Sequence, residues 1–114
     1  MIEYQERLRS LALNDDAFVQ SVLGMGQDTI KASRLDPKTH ALVRLAALLA
    51  VDAAPSSYHA SAQCALAAGA SIDEIVGILI AVAPAVGLAR VVSAAPDLAF
   101  ALGYDVDAAL EQRT

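Results

Sequence analysis

Between Ala41 and Val51 a single residue, Arg44, is not apolar. The run belongs to "LDPKTHALVRLAALLAVDAA", where Asp36 stands at the cap position and Pro37 at the first helical position. Proline is pre-organised there and loses no hydrogen bond, so the pattern predicts a helix from about Pro37. A helix apolar on nearly every side is expected to be buried on nearly every side. Such a helix needs other helices around it, and the composition supplies them. Alanine accounts for 25 of 114 residues, hydrophobic residues for 56% and aromatics for 4%. Alanine forms helix readily and lets backbones approach closely. A chain of this length buries only about 60–70% of the surface its unfolded form exposes. The excess of apolar surface is therefore expected to become contact between subunits, which predicts a homo-oligomer.

The remaining stop and start signals divide the chain into further helices. "NDDAFVQSVLGMGQDTIKAS" opens with Asn14 as an N-cap and two acids in the first turn, which suits the helix dipole. A helix from about Pro55 to Ala68 ends at Gly69, a residue favoured at C-terminal caps. "SIDE", Ser71 to Glu74, is a capping box that opens the next helix, expected to run through about Val82. Pro84 and Pro96 are read as the starts of two more segments, the second ending at Gly103, and "DVDAALEQR" as a last short helix. No alternating strand pattern appears. The expected fold is all-α: one domain, 1–114, built as a compact bundle of about six helices.

Charge and cysteine content exclude several functions. The net charge is −5, and the lysines and arginines are scattered, so neither nucleic acid nor an anionic membrane is expected as a partner. The most membrane-like segment, the uncharged run from Ile75 to Ala89, is shorter than the roughly 18–20 residues that span a bilayer, and Pro84 and Gly87 interrupt it. "MIEYQERLRS" lacks the apolar core of a signal peptide, and nothing points to an oxidising compartment; a cytoplasmic protein is expected. One cysteine gives neither a disulfide nor a cysteine-rich metal site. The two histidines show no metal-ligand spacing, and "LGMGQD" is no phosphate loop. No cofactor and no metal are expected.

The order of "LDPKTHALVRLAALLA", a polar turn and "ALAAGASIDEIVGIL" resembles the carboxymuconolactone decarboxylase family, which includes the alkyl hydroperoxidase D-like proteins. The resemblance covers about residues 33–103, and its most specific part is the "AGAS-x-x-E-I" junction. It implies an all-helical subunit assembled into trimers or hexamers. In the peroxidase-like branch it also implies Cys-x-x-Cys-x-x-x-His, with the His eight residues before the glycine and a Glu on the preceding helix. Counting from Gly69 and from "LDPKT" puts Ala54, Ser57, Ser61 and Ala41 at these four places. A peroxidatic site needs a low-pKa thiolate, a proton relay and a resolving thiol. Cys64 alone supplies at most the first, so a peroxidase-type reductase using Cys64 fits worst. A free cysteine in an alanine-rich helix is expected to be a small buried hydrophobe.

The decarboxylase branch implies cofactor-free chemistry on a small carboxylate or lactone. That chemistry needs a donor or cation for the carboxylate and an acid for the carbon left behind. The candidates for proton transfer are His59, with Gln63 one turn on as its orienting partner, and Tyr58. The substrate-binding candidates are Arg44, His40, Ser57, Ser61 and Arg90, around a site expected between the helix of Ala41 and that of His59. Each has a plainer reading. His59 then belongs to the surface or a subunit contact, and Tyr58 packs with its hydroxyl satisfied. Arg44, on a buried helix, pairs with Asp52, Asp73 or Glu74. Arg90 binds an anion or bridges subunits. Two function classes follow: a cofactor-free lyase, isomerase or binder of a small organic acid or lactone, and a non-catalytic oligomeric accessory subunit.

Overall fold

The computed structural model of the protein describes residues 3–13 and 27–111. Seven helices lie among them: α1 (Glu3–Ala12), α2 (Gln27–Ser33), α3 (Pro37–Ala50), α4 (Pro55–Ala67), α5 (Ile72–Val86), α6 (Leu88–Ala101) and α7 (Val106–Glu111). The described residues contain no strand, and the all-α expectation holds. The chain divides into two compact units, Met1–Asp36 and Pro37–Thr114.

In the first unit the guanidinium of Arg7 on α1 donates from Nη2 to the carbonyls of Ala32 (2.8 Å) and Ser33 (3.0 Å). These carbonyls end α2 and have no partner in their own helix, so the arginine caps it across the unit. Arg34, which carries a positive φ of 62°, also pairs with Glu3. Helix α1 was not read from the sequence, although Glu3 and Glu6 in its first turn and Arg9 in its last suit the dipole. The Asn14 cap lies outside the described residues; only the end of that predicted helix, α2, is described.

The second unit holds the core. Helices α3, α4, α5 and α6 pack on one another, and α7 packs on α6. Leu45, Leu49, Tyr58, Ile75, Leu79 and Leu98 fill the centre, with Ala41, Ala62, Ala65, Ala70, Ala94 and Ala101 between them. Half of this core is alanine, which is how helix backbones come close enough to exclude water with so few aromatic rings.

The turns follow local chemistry. Gly69 (φ 100°) takes the left-handed conformation after α4; its N–H reaches Leu66 O at 3.1 Å, and Ala70 N–H reaches Ala65 O at 2.9 Å. This pair of bonds is the Schellman closure that glycine accommodates best. Gly103 repeats it after α6, through Phe100 O and Ala99 O. After α3 the same position is held by Asp52, at φ 56°. The capping box is present in full: Glu74 N–H donates to Ser71 Oγ at 3.0 Å, and Ser71 N–H to Glu74 Oε1 at 2.9 Å.

Two expectations need correction. The prolines do not start helices: α5 runs through Pro84 to Val86, and α6 runs through Pro96. The break falls at Gly87, at φ 93°. A helical φ suits proline, and what it costs is one backbone bond. At Pro84 the missing bond lies in the last turn, and in α6 the burial of Ala94, Leu98 and Ala101 offsets the loss. Helix α3 is also not buried all round. Its inner side is His40, Ala41, Leu45 and Leu49, while Val43 is 54% exposed and Arg44 and Ala47 face outward. Three helices, α4, α5 and α6, cover one side of α3 and leave the other open among the described residues.

Candidate functional site

A cleft of about 440 Å³ opens in the second unit, where the start of α4, the end of α6 and the start of α7 meet. Helix α4 contributes Pro55, Ser56 and His59; α6 contributes Pro96, Asp97 and Phe100. Asp105 and Val106 close the third side. The volume falls in the range of small-molecule sites. Local structure fixes each group. Pro55 starts α4 and sets the direction of its first turns, so His59 projects over the cleft one turn from Ser56. The Schellman turn at Gly103 reverses the chain and brings Asp105 back towards α6. One oxygen of Asp105, Oδ1, accepts the Ala108 N–H at 3.0 Å and caps α7. Asp97 is half-buried and makes no hydrogen bond or ion pair among the described residues.

The charge balance of the cleft is unambiguous in sign. Two aspartates line it and no lysine or arginine does. The starts of α4 and of the short α7 oppose the end of α6, each end carrying about half an elementary charge at most, so the two full carboxylate charges outweigh the helix ends.

The other sequence-derived candidates are dispersed. Tyr58 is 1% exposed, and its hydroxyl donates to the Leu48 carbonyl at 3.4 Å, a long bond. Burial, with Asp52 adding to it, raises its pKa above the ordinary tyrosine value. These features match the packing reading of Tyr58, away from the cleft lining. His40 is the one polar residue buried among the described residues, at 5% exposure in the first turns of α3. Ser57 and Ser61 are half-buried along α4 and do not line the cleft. Gln63 is exposed on the same side of α4 as His59, with no hydrogen bond joining them. Arg44 and Arg90 are exposed and carry no ion pair among the described residues. Of the partners expected for Arg44 (Asp52, Asp73 and Glu74), the last pairs with Lys38 at 2.9 Å. An exposed guanidinium stays hydrated and needs no partner, so the argument from burial lapses with the burial. Cys64 is exposed on α4, not buried as expected. Its side of the helix is left uncovered by α3 and α6.

Sequence reasoning missed Asp97, Phe100 and Asp105. Asp97 and Asp105 stand 38 and 46 residues after His59, and no spacing rule links residues so far apart. The one local hint was Asp105 two residues after Gly103, in a cap position. No group of three or more His, Cys, Asp or Glu side chains able to hold a metal occurs among the described residues. No helix among them is long and apolar enough to cross a membrane.

An all-helical unit with an alanine-rich core, a glycine-capped helix and the "SIDE" capping box is the frame of a recognisable class. The model of the carboxymuconolactone decarboxylase family matches residues 16–99, most of the chain, and the protein belongs to that family. No curated protein and no solved structure matches it.

Proposed function

We propose that this protein is a cofactor-free, homo-oligomeric member of its family that binds a small organic molecule in the cleft under His59 and exchanges a proton with it through the imidazole. The observation that carries this reading is the placement of His59, the one imidazole of the cleft, beside two carboxylates in a concave site. Thiol chemistry is disfavoured by the residues at the family's reactive places, Ala41, Ala54, Ser57 and Ser61. Against the small carboxylate or lactone acid suggested by the resemblance stands the lining, which lacks both Arg44 and Arg90. Assembly into a trimer or hexamer is supported by apolar stripes at helical spacing on the open faces: Ile72, Val76 and Ile80 on α5, and Leu88 and Val92 on α6.

The test is a calorimetric binding screen of the native protein and of His59→Gln against small amines, neutral lactones and carboxylic acids. Proton uptake or release is read from the buffer dependence of the heat. A ligand whose binding and proton exchange depend on His59 supports the reading; ligands bound identically by both proteins, or none bound, overturn it. The second reading, a non-catalytic accessory subunit, is favoured by the dispersal of Arg44, His40 and Arg90 away from the cleft. It gains if the protein assembles but binds nothing in the screen.

A further inference from the structure

We propose that the ligand class of this cleft is a small organic ammonium ion with an apolar body. The inference rests on the cleft reading above and specifies what that site selects. Three independent features of the cavity agree on it. Asp97 is half-buried on α6 with no hydrogen bond or ion pair among the described residues, so no cation among them is paired with it. A half-buried carboxylate without a partner is stabilised by a cation that both pairs with it and donates hydrogen bonds. Asp105 adds a second carboxylate, with Oδ1 engaged at the α7 cap and Oδ2 making no hydrogen bond. The ring of Phe100, 69% exposed, lines the same cavity. An aromatic ring next to carboxylates attracts an ammonium ion through its face and offers apolar contact to the rest of the ligand.

Size and charge exclude the simplest alternatives. A bare metal ion would need ligand atoms converging on one point, and no such set occurs among the described residues. A cavity of about 440 Å³ is suited to a molecule of several non-hydrogen atoms. Pro55, Pro96 and Val106 give it apolar walls, so the body of the ligand is hydrocarbon or aromatic and only its head is charged. With two carboxylates and no lysine or arginine in the lining, an anion of the same shape is repelled. Imidazole nitrogen of His59, when unprotonated, accepts a hydrogen bond from the ammonium head.

Benzylamine, its neutral counterpart benzyl alcohol and benzoate are the probes, each titrated into the full-length protein by calorimetry. Benzylamine is expected to bind at least about tenfold more tightly than either of the others, and more weakly as salt is added. Asp97→Asn and Asp105→Asn are each expected to weaken benzylamine by about tenfold or more, and to leave benzyl alcohol within about twofold. Asparagine keeps the shape at both positions and can still cap α7 at 105, and circular dichroism of each variant confirms the helical fold. Equal binding of all three probes, tighter benzoate, or benzylamine binding indifferent to both substitutions overturns the inference. If benzyl alcohol or a neutral lactone binds in a His59-dependent way while benzylamine does not, this inference fails and the proposed function stands. If none of the probes binds and the wider screen is also blank, both fail.

Discussion

Lys38 and Glu74 meet at 2.9 Å and join the first turn of α3 to the first turn of α5. The same carboxylate accepts the Ser71 N–H through its other oxygen, so one side chain closes a helix end and ties two helices. The hydrogen bond from Lys38, followed by that from the Ser71 backbone, holds the Glu74 pKa below the ordinary glutamate value. A lowered folded-state pKa means that the stabilisation is complete above the unfolded value of about 4.3 and is lost as pH falls through the lower folded value. Glu74→Gln is expected to lower stability slightly near pH 7, slightly because the pair is exposed to solvent, and to match the native protein at low pH, which flattens the acid limb. Urea unfolding between pH 2.5 and 7 checks it; an unchanged acid limb would assign acid sensitivity to other carboxylates.

Tyr58 makes the opposite prediction at the alkaline end. Its burial raises the folded-state pKa, so its contribution is present below the unfolded value of about 10 and declines as pH rises through the folded value. Tyr58→Phe keeps the ring and gives up only a long bond to Leu48, an expected loss below about 1 kcal/mol. It should also reduce the loss of stability above pH 10. Tyr58→Ala removes the largest fully buried side chain and is expected to cost about 3–5 kcal/mol. Chemical denaturation of both variants separates packing from hydrogen bonding.

The two left-handed caps flanking α4 respond in opposite directions. Gly69 sits at φ 100° with open space around the place of a Cβ, so Gly69→Ala meets backbone strain alone, about 1–2 kcal/mol. Asp52 occupies the equivalent place after α3 at φ 56°, and Asp52→Gly is expected to stabilise by up to about 1 kcal/mol. Thermal unfolding of the pair gives the signs directly. A stabilising alanine at 69 would contradict the Schellman closure.

Ile80 tests the assembly. It is 71% exposed on α5 within one chain, so Ile80→Lys should leave the fold of the subunit nearly unchanged. A lysine buried between subunits has no such freedom, and the expected outcome is a smaller species by light scattering at the same concentration. If the variant keeps the mass of the native protein, the α5 stripe is no contact surface.

The sequence was legible where the physics is local. Asp36 before Pro37, Gly69 after an alanine-rich run and Ser71 with Glu74 act within one turn of backbone, and α3 and α5 begin, and α4 ends, where these residues say. Pro84 and Pro96 misled for a related reason. A proline forbids one hydrogen bond, and whether the helix continues depends on what the following residues bury. The apolar run around Arg44 likewise recorded a preference for burial without recording which side has a neighbour.

The sequence alone therefore determined an all-helical chain, several of its helix starts and caps, and membership of the carboxymuconolactone decarboxylase family. The tertiary structure decided that Arg44 faces outward, that Tyr58 is core, and that His59 shares a cleft with Asp97, Phe100 and Asp105. Capping and propensity are fixed by neighbours a few residues away. Burial and the sign of a cleft's charge depend on which distant segments the packing brings together, and that information is spread over the whole chain.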